Sequence, residues 1–246
     1  MLDISEKVII IMGSSSGIGE ATARLLASRG AKLVIAARRE DKIKQLANEL
    51  GEKVFYQAAD VTNREQVQAV IDLAIKEFGR IDVLYNNAGI MPQGNLSNLE
   101  YDKWEQMLNI NIMGVLNGLG AVLPIMKKQQ DGLIIATDSV AGHVVYPGSA
   151  VYNGTKYAVR AIMEGLRQEE FSNGIRSTIV SPGMVRTELF NTVGSSKIED
   201  SLREMASQEG KSLSPEDVAH AVVYAIEQPK HVTISEVLIR PSMQVI

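Results

Sequence analysis

One stretch near the start of the chain, residues 7–39, constrains the fold most. Residues 8–12 are an unbroken apolar run, which is typical of a parallel strand that is covered on both faces. A turn rich in glycine and serine follows, and a helical pattern then leads from Glu20 to a second apolar run at residues 33–37. The stretch therefore predicts a strand, a glycine turn, a helix and a second strand.

The glycine turn between the first strand and the helix is suited to a phosphate group. Glycine permits unusual backbone angles and lets a phosphate approach the main chain, while a helix N-terminus offers free N–H groups and a positive dipole end. Glycine turns also occur for purely structural reasons, but the flanking strand–helix–strand pattern favours a site for the pyrophosphate of a dinucleotide. The predicted contacts are Gly13, Ser15, Ser16, Gly17, Ile18 and Gly19.

Strand and helix patterns alternate through the rest of the chain. Further strands are predicted at residues 53–58, 81–85, 133–137, 176–180 and 237–239, and long helices at 64–78, 101–129 and 150–171. Strands that are separated by helices indicate a parallel sheet wound on both faces, with ligands beyond the carboxyl ends of its strands. Because no linker or low-complexity tract interrupts residues 1–246, we expect an α/β protein of one domain.

Composition and charge exclude several other classes of protein. The net charge of −4 argues against non-specific nucleic-acid binding, and the chain of 246 residues has no cysteine for a disulfide or a thiolate. Its three histidines are not spaced for a shared metal, so no metal site is expected. The start lacks the basic segment of a signal peptide, and polar residues interrupt the apolar stretch 110–126. We therefore expect a cytoplasmic protein that binds no membrane.

Two arginines follow the predicted second strand, where an NAD-binding version of this fold has an acidic residue for the ribose. A guanidinium suits a 2′-phosphate, so Arg38 and Arg39 favour NADP(H) over NAD(H). The alternative is that both arginines are solvated at the start of a helix, where Glu40 and Asp41 balance their charge.

Two further motifs end neighbouring strands. Asp60 and Val61 follow the third strand, where the carboxylate could accept from an adenine amino group. Asn87, Ala88 and Gly89 follow the fourth, where small residues would let a cofactor lie against the backbone. Taken singly, each motif is also ordinary turn chemistry.

A possible catalytic set lies further along the chain. Ser139 ends the fifth strand, and Tyr152 and Lys156 lie four residues apart, on one face of a helix. A tyrosine titrates near ~10 in water, and a nearby ammonium should lower that pKa. We therefore expect a hydroxyl that orients an oxygen, a phenol that exchanges its proton and a cation that tunes the phenol.

These motifs, in this order, resemble the short-chain dehydrogenase/reductase family over essentially the full length of the chain. The resemblance implies a Rossmann-type sheet of about seven strands, with hydride transfer between nicotinamide and a carbonyl or alcohol carbon. The motifs that carry it are Gly13-x-x-x-Gly17-Ile18-Gly19, Asp60-Val61, Asn86-Asn87-Ala88-Gly89, Asn111, Ser139, Tyr152-x-x-x-Lys156 and Pro182-Gly183.

The resemblance also implies a role for each matching residue. Tyr152 would be the acid/base, Ser139 would bond the substrate oxygen, and Lys156 would hold the nicotinamide ribose. Asn111 would bind a water that passes protons to Lys156, and Met12 departs from the family's usual threonine. Further cofactor contacts would be Ile110, Pro182, Gly183, Val185 and Thr187.

The substrate is less constrained than the reaction. The expected pocket walls are Ala141, Val144, Tyr146 and Met184, together with a segment at about 188–210. That segment could be a mobile lid or a surface insertion, and His143 could contact the substrate or be solvated. The walls are largely apolar, and the arginine pair and the C-terminal tail resemble an NADP-dependent branch of the family that acts on aldehydes and 3-hydroxy acids.

Three other functions compete with an NADP-dependent oxidoreductase. The nearest is an NAD-dependent enzyme of the same family. A cofactor sensor without turnover would not need Asn111, Ser139, Tyr152 and Lys156 together. A nucleic-acid or scaffold protein is disfavoured by the acidic charge balance. The resemblance further implies a homo-oligomer, a tetramer or a dimer, formed through the two long helices.

Overall fold

Seven strands and eight α-helices alternate along the chain in the computed structural model, which describes residues 3–245. The strands are β1 (Val8–Met12), β2 (Lys32–Ala37), β3 (Val54–Ala58), β4 (Val83–Asn86), β5 (Gly132–Thr137), β6 (Ile175–Pro182) and β7 (Glu236–Ile239). The helices are α1 (Gly17–Ser28), α2 (Glu40–Leu50), α3 (Arg64–Phe78), α4 (Tyr101–Met107), α5 (Gly114–Gln129), α6 (Ala150–Glu170), α7 (Ser196–Ser207) and α8 (Pro215–Ile226).

The strands form one parallel sheet in the order β3-β2-β1-β4-β5-β6-β7. The order reverses between β1 and β4, so a crevice opens there beyond the carboxyl ends of the strands. The predicted fold class, a doubly wound three-layer sheet in a single Rossmann-like domain, is therefore confirmed.

Both faces of the sheet are covered, and β1 shows why its sequence is apolar throughout. Ile9 and Ile11 belong to the core cluster that α1, α2 and α8 cover. Ile10 and Met12 point to the opposite cluster, which α3, α5 and α6 cover. Successive side chains of a strand alternate between faces, so a strand with two buried faces has no polar position. Burying each of these side chains contributes about 1.5–3 kcal/mol.

The predicted helix at 101–129 forms, but it is not a regular α-helix. Residues Leu108–Met113 make a π-helical turn between α4 and α5. A π turn widens the helix by one residue per turn and often marks a functional site. Of the helices in residues 3–245, Tyr101–Gln129 is long and apolar enough by composition to cross a membrane, but α5 packs on α3, β4 and β5.

The segment at 188–210 is largely helical. It contains a 3-10 helix at Glu188–Thr192 and then α7, which packs against that 3-10 helix. Gly194 and Gly210 both have positive φ angles, of 80° and 75°. That this segment moves as a lid remains a prediction. If it does, the 3-10 helix and α7 are the parts that would move.

Candidate active site

A cavity of about 940 Å³ lies beyond the carboxyl ends of the strands, where the order of the sheet reverses. All of the residues predicted to contact the cofactor line it except Gly19. Those residues are Gly13, Ser15, Ser16, Gly17, Ile18, Arg38, Arg39, Asp60, Val61, Asn87, Ala88, Gly89, Ile110, Tyr152, Lys156, Pro182, Gly183, Val185 and Thr187. Positions that lie far apart in the sequence therefore form a continuous wall.

The glycine turn lines the cavity and packs against neighbouring backbone so closely that two of its positions admit only glycine. Gly13 has a φ of 91°, and a Cβ there would lie 2.7 Å from the backbone of Ala88. A Cβ on Gly19 would lie 2.1 Å from the carbonyl oxygen of Gly13. Within the described chain, Ser16 at the N-cap of α1 makes no side-chain cap bond, so N–H groups of the first turn remain for an anion. This cradle fits a dinucleotide pyrophosphate, with Gly19 packing behind it.

The turn is braced although Met12 replaces the family's usual threonine. Asn87 Nδ2 donates to the Gly13 carbonyl at 2.8 Å, and Asn87 Oδ1 accepts from Thr137 Oγ1 at 2.9 Å. The N–H groups of Gly13 and Ser14 both donate to the carbonyl of Ala36. Backbone bonds to β2 and a side chain after β4 therefore supply the bracing that the sequence left uncertain.

Asp60 is bonded as a turn residue, and it also lines the cavity. Its Oδ1 accepts from the N–H and the hydroxyl of Thr62, at 2.9 and 2.8 Å, as an ordinary turn residue would. The residue also lines the cavity, beside Val61. From this position the carboxylate could reach an adenine, and that contact remains a prediction.

The arginine pair lines one end of the cavity, beside the glycine turn. Arg39 donates to the hydroxyls of Ser15 and Ser16, at 2.8 Å from Nη2 in each case, and to the carboxylate of Glu188. Arg38 also lines the cavity and is exposed. The alternative that both arginines are merely solvated does not describe Arg39, because its guanidinium joins the glycine turn to the 188–210 segment.

The other end of the cavity holds Ser139, Tyr152 and Lys156. Tyr152 packs in a small apolar cluster with Ile90, Ile110 and Ala141, among others, and is 6% exposed. Lys156 Nζ donates to the Thr137 carbonyl at 2.7 Å and lies 5.7 Å from the centroid of the Tyr152 ring. The three side chains therefore meet, as their order in the sequence predicts.

The expected lowering of the Tyr152 pKa is wrong in this structure. Burial raises the pKa of the phenol well above its usual range, a hydrogen bond with Ser139 lowers it in part, and the negative charge of Asp138 raises it further. Burial also lowers the pKa of the Lys156 ammonium, which weakens the cation that should favour phenolate. The phenol of Tyr152 therefore keeps its proton at neutral pH in this structure.

Asp138 is a functional candidate that the sequence analysis missed. It lines the cavity next to Ser139 and is 1% exposed. Its Oδ2 accepts from Ser181 Oγ at 3.3 Å, and burial raises the pKa of its carboxyl to about 6. The sequence shows that Asp138 precedes Ser139, and this position could have marked it as a candidate. The sequence does not show that its carboxyl is buried, because an aspartate at the end of a strand is also common on the surface.

His143 lies behind this wall, where it binds Glu236 and Arg160. Arg160 Nη1 lies 2.9 Å from His143 Nδ1, and His143 Nε2 lies 2.7 Å from Glu236 Oε1. An arginine only donates, so Nδ1 accepts and the proton of a neutral ring is on Nε2. Burial lowers the pKa of His143, in agreement with a neutral ring. Among the described residues that line the cavity, neither His143 nor Val144 is present.

Asn111 sits in the π-helical turn and is buried. Its Oδ1 accepts from the N–H of Ile90, and its Nδ2 donates to the Ile90 carbonyl, both at 2.9 Å, and to Thr155 Oγ1 at 3.1 Å. These bonds join the turn to the loop after β4 and to α6. A water-mediated path from Asn111 to Lys156 remains a prediction.

The expected substrate walls are present except for Val144. Ala141, Tyr146 and Met184 line the cavity, whereas the carbonyl of Val144 accepts from Asn153 Nδ2, and this bond ties Val144 to α6. The 188–210 segment adds Leu189, Phe190, Asn191, Thr192, Leu202 and Met205. The C-terminal tail adds Met243, Gln244 and Val245, which the sequence analysis did not assign to the site.

The sheet and the cavity beyond the carboxyl ends of its strands are those of a Rossmann-type nucleotide-binding domain. Comparison with known proteins agrees. The family model described as short chain dehydrogenase matches residues 7–198. An uncharacterised oxidoreductase of Staphylococcus saprophyticus is 49% identical over 99% of both chains. The chain therefore belongs to the short-chain dehydrogenase family.

Solved structures share the whole fold and differ in the cofactor that they contain. The closed form of a serine dehydrogenase complexed with NADP+ has a TM-score of 0.91 at 30% identity, covering 97% of this chain and 96% of that one. A family member from Burkholderia phymatum in complex with NAD has a TM-score of 0.87 at 29% identity, covering 97% of this chain and 90% of that one. Both cofactors therefore occur among the structural neighbours.

Proposed function

We propose that this protein is an NADP(H)-dependent oxidoreductase that interconverts a small carbonyl compound and its alcohol, with Tyr152 as the acid/base. The observation that carries the proposal is the single cavity. A phosphate cradle and Arg39 lie at one end of it, and Ser139, Tyr152 and Lys156 lie at the other. A sensor that only binds a cofactor has no use for the second set.

The protein residues would act as follows. A reduced nicotinamide, when bound, supplies the hydride that reaches the carbonyl carbon. Ser139 and Tyr152 hold the carbonyl oxygen through hydrogen bonds, and Tyr152 transfers its phenolic proton to that oxygen as the alcohol forms. The ammonium of Lys156 lies close enough to stabilise the phenolate that remains until a proton returns. The raised pKa of Tyr152 keeps the phenol protonated before the substrate binds.

The cofactor assignment rests on Arg39. Its guanidinium sits beside Ser15 and Ser16 at the start of α1, and its charge suits a 2′-phosphate. An NAD-dependent enzyme of the same family is the alternative. The Burkholderia phymatum neighbour, whose structure contains NAD, keeps that alternative open.

The substrate end favours a neutral or partly apolar compound. Apolar side chains from three parts of the chain line this end of the cavity. They include Met184 after β6, Leu202 in α7 and Met243 in the C-terminal tail. An aldehyde, a ketone or a 3-hydroxy acid agrees with these walls. The 188–210 segment would serve as a lid, and the protein would act as a cytoplasmic homo-oligomer, a tetramer or a dimer.

A substrate panel tests the proposal directly. Aldehydes, ketones, simple alcohols and 3-hydroxy acids would be assayed with NADPH, NADH and the two oxidised forms, with absorbance at the nicotinamide band as the readout. We expect turnover with at least one carbonyl and a higher kcat/KM with NADPH. A clear preference for NADH would refute the role of Arg39, and binding without any turnover would favour a cofactor sensor.

A further inference from the structure

The Arg39 guanidinium is already bound to a carboxylate from the opposite side of the cavity. Arg39 Nη1 donates to Glu188 Oε2 at 2.6 Å, and Lys42 Nζ donates to Glu188 Oε1 at 3.2 Å. The other donors of Arg39 bind Ser15 and Ser16. Glu188 therefore places an anion within the group of cations and hydroxyls that would receive a 2′-phosphate.

Glu188 reaches this position because its segment passes beside the glycine turn. It starts the 3-10 helix Glu188–Thr192, directly after Thr187. A Cβ on Gly17 would lie 3.0 Å from Thr187 Cγ2, so the backbone of the turn and this segment are in close contact. The Arg39–Glu188 pair, separated by 149 residues, thus bridges the two walls at the phosphate end of the cavity.

A carboxylate and a phosphate cannot share one guanidinium without repulsion. Both bind the planar fork of an arginine through the same N–H groups, and like charges at contact distance disfavour each other. The Arg39 hydrogen bond lowers the pKa of Glu188 to about 2, so this carboxylate carries its full charge near neutral pH. A 2′-phosphate that binds Arg39 must therefore displace Glu188 or accept its repulsion.

We propose that Glu188 competes with the 2′-phosphate of the cofactor for Arg39, and that it thereby sets how strongly the protein discriminates between phosphorylated and unphosphorylated cofactors. This inference rests on the proposed function, because it concerns the same adenosine end of the cavity. An unphosphorylated ribose leaves the Arg39–Glu188 pair in place. With a phosphorylated ribose, the 2′-phosphate replaces the Glu188 carboxylate at Arg39.

The pair is weak enough to be exchanged. Arg39 and Glu188 have side chains that are 45% and 42% exposed, and ion pairs of this exposure contribute little because solvent screens them. Removing the charge of Glu188 should therefore change the affinity for a 2′-phosphate by about two- to fivefold. It should leave the affinity for an unphosphorylated adenosine ligand nearly unchanged.

The test compares two ligands that differ only in the 2′-phosphate, adenosine 2′,5′-bisphosphate and AMP. Dissociation constants would be measured by calorimetry with the full chain, its Glu188→Gln variant and a control, Glu199→Gln. Glu199 lies in α7 of the same segment and also pairs with an arginine, Arg203, but it is not among the residues that line the cavity. The quantity compared is the affinity for the bisphosphate divided by the affinity for AMP.

We expect this ratio to rise about two- to fivefold in Glu188→Gln and to stay unchanged in Glu199→Gln. In a chain that already carries Arg39→Gln, adding Glu188→Gln should produce a smaller rise, because Lys42 and direct repulsion are then all that couple Glu188 to the phosphate. A ratio that stays the same or falls in Glu188→Gln overturns the inference, because Glu188 would then orient Arg39 or have no role in the choice of cofactor.

The outcome separates this inference from the proposed function. If the unmodified protein does not prefer the bisphosphate but the ratio rises in Glu188→Gln, the competition stands and the NADP(H) preference fails. If the protein prefers the bisphosphate and the variant changes nothing, only the competition fails. Hydrogen exchange of residues 187–192 in the unmodified protein gives a second test: the bisphosphate should accelerate it more than AMP does, and equal rates would overturn the inference.

Discussion

The two ends of the cavity use charged and polar side chains in opposite ways. At the reaction end, Tyr152, Lys156 and Asp138 are all less than a tenth exposed, and burial dominates their pKa values. At the phosphate end, Arg39 and Glu188 are nearly half exposed and form an ordinary ion pair. Burial fixes protonation and geometry before a ligand arrives, whereas an exposed pair can be exchanged for a ligand at little cost. Under the proposed function, the reaction takes place where water is excluded, and the cofactor is selected where water remains.

Replacing the buried phenol should have the largest effect. Tyr152→Phe removes the group that donates the proton, and general acid catalysis typically contributes about 10²–10⁴-fold, so we expect kcat to fall by at least about a hundredfold. Cofactor affinity, measured by fluorescence titration, should change little. Tyr157→Phe is the control, since Tyr157 lies on the same helix and is 41% exposed. Full activity in Tyr152→Phe would refute the proposed mechanism.

The buried carboxyl of Asp138 should destabilise the fold as it ionises. Its pKa is raised from 3.8 to about 6, so its favourable contribution is present below pH 3.8 and is lost as the pH rises through 6. Relative to Asp138→Asn, the native protein should therefore lose roughly 2 kcal/mol of unfolding free energy between pH 4 and pH 8. Urea unfolding at both pH values measures this change. A constant difference between the two proteins would mean that Asp138 is better solvated than its burial indicates.

Removing the arginine of the exposed end should affect one cofactor only. Arg39→Gln takes away the charge that would face a 2′-phosphate, and we expect kcat/KM with NADPH to fall about tenfold while the value with NADH changes little. Arg24→Gln provides a control, because Arg24 also pairs with glutamates on the surface but lies outside the cavity lining. Equal losses with both cofactors would indicate that Arg39 supports the glycine turn and does not select the cofactor.

The smallest effect should come from the charge of Glu188 on stability. Its lowered pKa means that its contribution is present above about pH 4.5 and is lost as the pH falls towards 2. Because the side chain is 42% exposed, screening limits the effect, and Glu188→Gln should change the unfolding free energy at pH 7 by less than about 1 kcal/mol. Thermal unfolding of both proteins at pH 7 checks this. A loss of several kcal/mol would make Glu188 a structural residue and contradict the contrast between the two ends.

Much of the fold and part of the site could be predicted from local pattern. The alternation of apolar strands and amphipathic helices predicts the sheet because backbone periodicity decides which residues can face a core. The spacing of Tyr152 and Lys156 predicts a shared helix face for the same reason. The π-helical turn at Leu108–Met113 has no such periodic signal, since it depends on the bonds of Asn111 to Ile90.

Sequence by itself thus determined the doubly wound fold, the phosphate cradle and the group of residues at the reaction end. Tertiary structure alone decided the sign of the Tyr152 pKa shift, the burial of Asp138 and the pairing of Arg39 with a glutamate 149 residues away. The reason is physical. Periodicity and turn chemistry act between neighbours in the chain, whereas desolvation and ion pairing depend on which distant surfaces fold together and exclude water.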